Sequence, residues 1–202
     1  MGISAVVTRT MVMVRVQEGH VSVSDARTNK STMTVTWGDV IMRFTSAAQV
    51  HAMLAAFAAV RAALRGIPGN VPTRTDPDGN PWLSVVSIAW LETPTWVVVP
   101  QSRYDEKRRT TAHYVDIHMG PVLWRIVDWA GYESALALLR NAHRTAVAVF
   151  SDGGKFRTDP TTIDVISEVF GSDTESAEAF QAKGRTRRAA RSVDKKSAGT
   201  CS

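Results

Sequence analysis

Two similar stretches lie a constant 82 residues apart in the chain, and this spacing limits the folds that it can adopt. Val40–Phe44 and Val122–Ile126 each alternate apolar residues with other side chains and carry an arginine at the fourth position. Each stretch is followed by a helix-capping residue, Ser46 or Asp128, and then by an amphipathic helical pattern. A unit of this size that occurs twice predicts an internal repeat.

The first half of the chain predicts four strands and a helix. Apolar residues occupy every second position in each strand, and polar turn residues separate the strands, which is typical of a meander with one buried face. The strands are expected at residues 11–16, 21–24, 33–37 and 40–44. The helix is expected to run from the cap at Ser46 to about Arg65, where Gly66 and Pro68 end it.

The second half predicts the same order of elements. Trp82–Leu91 is apolar on both faces, so a buried central strand is expected there. Pro100 is expected to end the next strand, and the charged residues 102–110 are expected to form a connection. The other elements are expected at 95–99, 115–119 and 122–126 for the strands and between Asp128 and Phe150 for the helix.

Strands followed by a helix, twice over, favour the α+β class, with two antiparallel sheets packed with two central helices. This domain is expected to span residues 9–150, with repeats at about 9–66 and 82–150. Residues 151–182 carry two basic and seven acidic side chains and predict an acidic, partly helical extension. Residues 183–202 carry seven basic side chains and one acidic one, and predict a disordered basic tail.

No catalytic motif occurs in the sequence: HExxH, CxxC, GxSxG and phosphate-binding glycine loops are all absent. Asp76, Asp78 and Asn80 have the spacing of a calcium loop, but the glycine and the last acidic ligand are misplaced, which favours an ordinary turn. Asp116 and His118 share a strand face and could form an acid–base pair, although a solvated polar face is favoured. We therefore predict a non-catalytic protein without a metal or cofactor.

Strand parity places a set of cationic and polar side chains on the sheet faces opposite the core. Arg15, Arg43 and Arg125 are expected there, with Tyr114 and His118 beside them. Single-stranded nucleic acid is commonly held by cations that follow its phosphates and by rings that stack on its bases. Arginine and threonine are also common on any solvated sheet face, and this alternative stays open.

Two further cationic segments extend the predicted nucleic-acid site. Lys107, Arg108 and Arg109 lie in the expected connection of the second half. The basic tail contributes Arg185, Arg187, Arg188 and Arg191. Neutralised phosphates release counterions, which favours binding of such segments to a polyanion. A tail that serves solubility, or that pairs with the acidic segment 151–182, is the alternative.

Apolar side chains suggest how the units pack. Trp37 and Trp124 share parity with core residues, so both are expected in the core. For Trp82, Trp90 and Trp96 a core position is favoured over a platform for stacking bases. The alanine-rich flank of the first helix allows close helix packing, either between the two repeats or across a dimer seam.

The duplicated ββββα order, with an arginine at the same place in the last strand of each unit, resembles the Whirly and Pur-alpha group of single-stranded nucleic-acid-binding proteins. The resemblance covers roughly residues 9–150, and the Lys-Gly-Lys-Ala-Ala-Leu type motif of plant Whirly proteins does not occur. It implies two sheets packed around a helical centre, oligomerisation through the helices, and nucleic acid bound along the sheet surfaces.

These observations predict a homo-oligomeric, non-catalytic protein that binds single-stranded DNA or RNA through sheet-face arginines and the basic tail. The alternative is an oligomeric protein–protein interaction or scaffold module that binds no nucleic acid. No apolar run is long enough to span a bilayer, so no membrane partner is expected. The only cysteine, Cys201, builds no disulfide framework, which predicts a cytoplasmic protein, associated with the nucleoid if it binds DNA.

Overall fold

Eight strands and two helices make up the computed structural model, which describes residues 9–72, 85–106 and 109–162. The first half of the chain forms β1 (Thr10–Val14), β2 (Gly19–Ser24), β3 (Thr32–Trp37), β4 (Val40–Phe44) and α1 (Ala47–Ala59), which the 3-10 helix Val60–Ala63 prolongs. The second half forms β5 (Val86–Ala89), β6 (Trp96–Asp105), β7 (Thr110–Met119), β8 (Val122–Ile126) and α2 (Trp129–Val149), followed by the 3-10 helix Gly153–Lys155. The predicted α+β class is confirmed. The basic tail and most of the acidic extension lie outside the described residues.

The first strand of each half pairs with the last strand of the other half. Sheet A has the strand order β1-β8-β7-β6 and sheet B the order β2-β3-β4-β5. β1 runs parallel to β8, with Thr10 opposite Val122, and β5 runs parallel to β4, with Val86 opposite Val40. The other pairs are antiparallel. The expected meander and purely antiparallel sheets are therefore wrong, because alternation shows which face is buried and not which strand is the neighbour.

β5 differs from the strand expected at Trp82–Leu91. Among the described residues it covers only Val86–Ala89, and it forms an edge of sheet B. Val85 and Leu91, on either side of it, are 58% and 94% exposed. The expectation of a buried central strand is wrong, because apolar residues here continue past the point where the strand leaves the sheet.

β6 and β7 form a hairpin of two ten-residue strands in place of the short strands and charged connection expected from the sequence. β6 continues through Pro100, which the expectation treated as its end. Proline is tolerated at this position because β6 is an edge strand of sheet A and no ladder hydrogen bond is needed on its outer side.

The distal part of this hairpin projects beyond the rest of sheet A. β8 pairs only with Val115–Met119 of β7, whereas β6 and β7 stay paired from Gln101 opposite Tyr114 to Asp105 opposite Thr110. We call residues 101–106 and 109–114 the β6–β7 ribbon. The 3-10 helix Val60–Ala63 approaches both β6 and β7.

The core joins the inner faces of both sheets to the helices. α1 and α2 contact each other, and each contacts strands of both sheets. Trp37 and Trp124 stack with ring centroids 5.9 Å apart, and the ring of Phe57 meets both of them edge-on. Both tryptophans are buried as expected, and so is Trp90. Trp96, at 37% exposure on the edge strand, is not a core residue, which corrects the expectation.

Both helices begin at the predicted caps, but the two caps bond differently. The Ser46 hydroxyl accepts one hydrogen bond, from the backbone N–H of Gln49 at 3.4 Å. The buried Asp128 carboxylate accepts from the N–H of Gly131 at 2.7 Å and, with its other oxygen, from the N–H of Val71 at 3.0 Å. Asp128 therefore caps α2 and also anchors the chain that follows α1.

We expect Asp128→Ala to destabilise the protein more than Ser46→Ala. Loss of the serine cap costs about 0.5–1 kcal/mol. Loss of Asp128 costs about 2–3 kcal/mol, because a buried carboxylate with two backbone donors is removed. Urea unfolding of both variants measures the difference, and equal losses would show that the bond to Val71 contributes nothing.

Candidate nucleic-acid interface

The centre of the outer face of sheet A is an ion pair between β8 and β7. Arg125 donates from Nε and Nη2 to the two carboxylate oxygens of Asp116, both at 2.8 Å. Asp116 is only 4% exposed, and the guanidinium carbon of Arg125 lies 4.2 Å from the centroid of the Tyr114 ring. The hydrogen bonds that Arg125 donates to Asp116 raise the pKa of Arg125 above its usual value. The charge of Arg125 is therefore compensated within the sheet, and one face of Tyr114 is covered.

Arg43 holds the corresponding place in sheet B, but its surroundings differ. Its cross-strand neighbours are Thr34 and Ala89, which carry no charge, and its side chain is exposed. The expectation of two matched, free guanidinium groups is therefore wrong for Arg125, because Asp116 stands where sheet B has Thr34. Strand parity predicted the direction of both arginines correctly and could not predict their neighbours.

The other sheet-face residues of the predicted site are also separated from one another. Arg15 is half-buried, and its Nη1 donates to the backbone carbonyl of Val71 at 3.0 Å. His118 lies on the outer face of sheet A next to Leu123 of β8. Both oxygens of Asp116 accept from Arg125, so the carboxylate considered as an acid–base partner of His118 is engaged by the arginine.

Apolar side chains surround the ion pair on the outer face of sheet A. Met11 and Met13 of β1 are 50% and 42% exposed, and Val97 of β6 is 54% exposed. Met13 stands opposite Arg125, and Val97 stands opposite His118. This face offers thioether and aliphatic groups to a partner in place of a continuous cationic track.

The outer face of sheet B is covered with small hydroxyl groups. Parity and register place there Ser22, Ser24, Thr32, Thr34, Thr36 and Ser87, together with His20 and Arg43. Hydroxyl groups can bond to phosphate oxygens or base edges, but they provide no ring on which a base could stack.

Two exposed cations of the second half lie on the β6–β7 ribbon, while Arg144, Lys155 and Arg157, on and after α2, are exposed as well. Arg103 and Arg109 are exposed, and the Tyr104 side chain is 59% exposed. An open cavity of about 570 Å³ is lined by Arg103, Tyr104, Asp105, Glu106 and Ala112. Lys107 and Arg108, predicted to belong to the site, lie between the two described parts of the ribbon and outside the described residues.

Some predicted site residues therefore meet and others do not. Arg125 and Tyr114 are in contact, whereas Arg43 is on the other sheet and Arg109 is on the ribbon. The four tail arginines, Arg185, Arg187, Arg188 and Arg191, lie outside the described residues. The sequence did not predict Arg103 and Tyr104 as site residues, because residues 101–105 show no apolar alternation that would mark them as a strand.

Within residues 9–72, 85–106 and 109–162, no group of three or more His, Cys, Asp or Glu side chains is arranged to hold a metal ion. In the same part of the chain, no helix is both long and apolar enough to cross a bilayer. Asp76, Asp78 and Asn80, weighed as a calcium loop, lie outside it. The chain matches no protein-family model, no curated protein and no solved structure.

The ion pair predicts unequal effects when its partners are removed singly. Arg125→Met leaves the Asp116 carboxylate buried without its partner and should cost about 3 kcal/mol of unfolding free energy. Asp116→Asn keeps an acceptor for Arg125, whose side chain is 27% exposed and can reach water, and should cost about 1 kcal/mol. Urea unfolding near neutral pH tests this order, and a larger loss in Asp116→Asn would contradict it.

Proposed function

We propose that this protein binds single-stranded DNA or RNA without catalysing a reaction, and that the β6–β7 ribbon makes the main contacts. The observation that carries this proposal is the position of the ribbon, which extends beyond β8 with exposed cations and an exposed aromatic ring. The sheet faces contribute less than the sequence suggested, because Arg125 is compensated and Arg15 is half-buried.

Electrostatics favour a polyanion at the ribbon. Residues 101–114 hold four lysine or arginine side chains and two acidic ones. Arg103 and Arg109 are exposed, and in the sequence Lys107 and Arg108 fall between them. Each phosphate that such a segment neutralises releases counterions, and this makes affinity fall steeply with salt.

The geometry of the ribbon favours a single strand over a duplex. Arg103 and Tyr104 are neighbours in β6, so their side chains point to opposite faces of the ribbon. Both residues nevertheless line the same open cavity, which a flexible single strand can enter and a wide, stiff duplex cannot. Stacking of one base on Tyr104 would contribute about 1–3 kcal/mol.

The rest of the predicted surface has supporting roles in this proposal. Arg43, set among hydroxyl groups on sheet B, offers a secondary phosphate contact. The seven basic residues of 183–202 act as a tether that raises the local concentration of the polyanion.

We also infer that the two halves are copies of one unit, as in the Whirly and Pur-alpha group that the sequence resembles. Three correspondences at a separation of 82 residues support this inference. Gly38 and Gly120 both have positive φ, 54° and 56°, in equivalent turns. The register of Met33 with Phe44 recurs as Val115 with Ile126, and the helix caps Ser46 and Asp128 also correspond.

Fluorescence anisotropy with a labelled oligothymidine in rising salt tests the proposal. We expect log affinity to fall linearly with log salt, and the slope to lose about 0.7 for each arginine removed in Arg103→Ala/Arg109→Ala. Tyr104→Ala should weaken binding by about 1–3 kcal/mol and leave the slope unchanged.

The matched control is Arg27→Ala/Lys30→Ala, which removes two exposed cations from the turn between β2 and β3. It should leave affinity and slope close to those of the unchanged protein. Absent binding, salt-independent binding, or equal losses in the ribbon and control variants would refute the ribbon as the interface.

A second candidate function, self-assembly, is favoured by the apolar outer face of sheet A. Because the charges of Arg125 and Asp116 already compensate each other, a second copy of the chain can cover this face without burying an unpaired charge. Four strands spaced about 4.8 Å apart and five residues long give a footprint of roughly 300 Å² per partner, against about 800 Å² in a standard interface. The expected dimer is therefore weak.

Sedimentation velocity over a range of protein concentrations measures this association. We expect a dimer whose fraction grows with concentration and disappears in Met13→Lys, which places a charge inside the contact. Ser22→Lys, on the outer face of sheet B, is the control and should leave the dimer intact. A monomer at every concentration would exclude this candidate and would leave the nucleic-acid proposal untouched.

A further inference from the structure

Two histidines meet where α1, α2 and the segment that follows α2 come together. Nδ1 of His51, on α1, lies 3.2 Å from Nε2 of His143, on α2. His143 is only 2% exposed, and His51 is half-buried. The pair plays no part in the proposed function, because it lies on the helices and away from the ribbon and the outer sheet faces.

Residues 150–162, which we call the terminal strap, cover this pair. The Phe156 ring packs on His51 with centroids 5.2 Å apart, and the backbone of Phe156 acts on the His143 imidazole and raises its pKa. Nearer its start, the strap bonds to the beginning of α1, because the Asp152 carboxylate accepts from the N–H groups of Ala47 and Ala48 at 3.0 and 3.1 Å.

The far end of the strap is held by side chains of α2 and of the strap itself. Arg140 Nε donates to the Thr161 hydroxyl at 2.9 Å. One oxygen of Asp159 accepts from the N–H and the hydroxyl of Thr161 at 2.8 and 2.7 Å. The strap is therefore attached through polar contacts, through the Phe156–histidine cluster, and through the buried side chains of Phe150 at its start and Pro160 near its end.

The contact between the two histidines can persist with one added proton but not with two. When both imidazoles are neutral, one N–H···N hydrogen bond joins them, with one ring nitrogen donating and the other accepting. One added proton can be shared along this bond. With two added protons, both facing nitrogens carry hydrogen and two positive charges adjoin, so the contact cannot persist.

The charged and titratable groups around the pair act in opposite directions. Burial lowers the pKa of His51, and His143 lowers it further, whereas Asp159 raises it. Burial also lowers the pKa of His143, which Asp159 and the Phe156 backbone raise. Among the described residues, Asp159 is the acidic group that acts on both rings, and its own pKa is lowered by Thr161, Arg140 and His143 against the opposing effect of burial.

We propose that the His51–His143 pair is an acid-sensitive latch, and that protonation of both imidazoles releases the terminal strap from α1 and α2. The strap yields before the helices do, because α1 and α2 are also joined through the core that contains Phe57, Leu54, Leu139 and Ala142. Phe156, by contrast, is only partly buried against that core. Release exposes both imidazoles to water.

The direction of the pH effect follows from linkage. Both histidines bind protons less readily in the closed state than in the released state, where their pKa approaches the ordinary value of about 6.5. The closed state is therefore fully favoured above about pH 6.5 and loses stability as the pH falls below it. In that range the opening constant rises about tenfold per pH unit if release takes up one proton, and about a hundredfold if it takes up two.

Hydrogen exchange of the full chain at about pH 7 and pH 5.5, corrected for the intrinsic pH dependence of exchange, tests the latch. We expect protection of the amides in residues 153–161 to fall about tenfold or more on acidification, while the interior amides of α2 keep theirs. In His51→Phe, which fills the same place with a ring that does not titrate, only His143 remains to take up a proton, so the loss of protection should be no steeper than about tenfold per pH unit. His20→Asn removes an exposed histidine of β2 and should behave like the unchanged protein.

Three results would overturn the proposal: strap protection that does not change with pH, equal loss of protection in the strap and in both helices, or a pH response as steep in His51→Phe as in the unchanged chain. If His51→Phe does not fold, titration of the histidine ring protons by NMR in the unchanged chain decides the matter. The latch is supported if both histidines titrate with pKa values below 6.5 and the resonances of the closed strap are lost over the same pH range. Ordinary pKa values for both histidines refute it.

Discussion

The structure depends on the exchange of β1 and β5 between the two sheets. Each sheet takes three strands from one half of the chain and its fourth, parallel strand from the other half, so neither half completes a sheet alone. The stacked rings of Trp37 and Trp124 join the two halves at the centre of the core. Because the β1–β8 pairing closes a loop of more than a hundred residues, it carries a large entropic cost that the shared core has to offset.

This exchange leaves two outer sheet faces with similar geometry and different chemistry. Position 116 holds an aspartate where position 34 holds a threonine, and this single difference turns Arg125 into half of an internal ion pair while Arg43 stays exposed. The exposed Arg103 and Arg109 lie instead on the β6–β7 ribbon, where β6 and β7 continue beyond the end of β8. A binding surface on a projecting ribbon can accept a flexible ligand without any rearrangement of the core.

The helices and the strap form a second layer of organisation on the other side of the sheets. Asp128 and Asp152 both bind backbone N–H groups at helix starts, and each also joins segments distant in sequence. The buried histidine pair adds a contact whose strength depends on protons. The outer sheet faces are exposed to solvent, whereas the latch lies in the helical layer. A ligand on an outer face and a change in pH can therefore act on separate parts of the protein.

Much of the secondary structure and the core could be predicted from the sequence alone, because both depend on local chemistry. The inward positions of Val35, Trp37 and Trp124 follow from a period of two, and the helix starts at Ser46 and Asp128 follow from capping, since both depend on residues a few positions apart. The sequence did not predict three features: the strand partners, the ion pair of Arg125 with Asp116, and the contact of His51 with His143. They are set only when the chain folds, because they depend on which distant segments come together, and alternation within one strand carries no record of its neighbour.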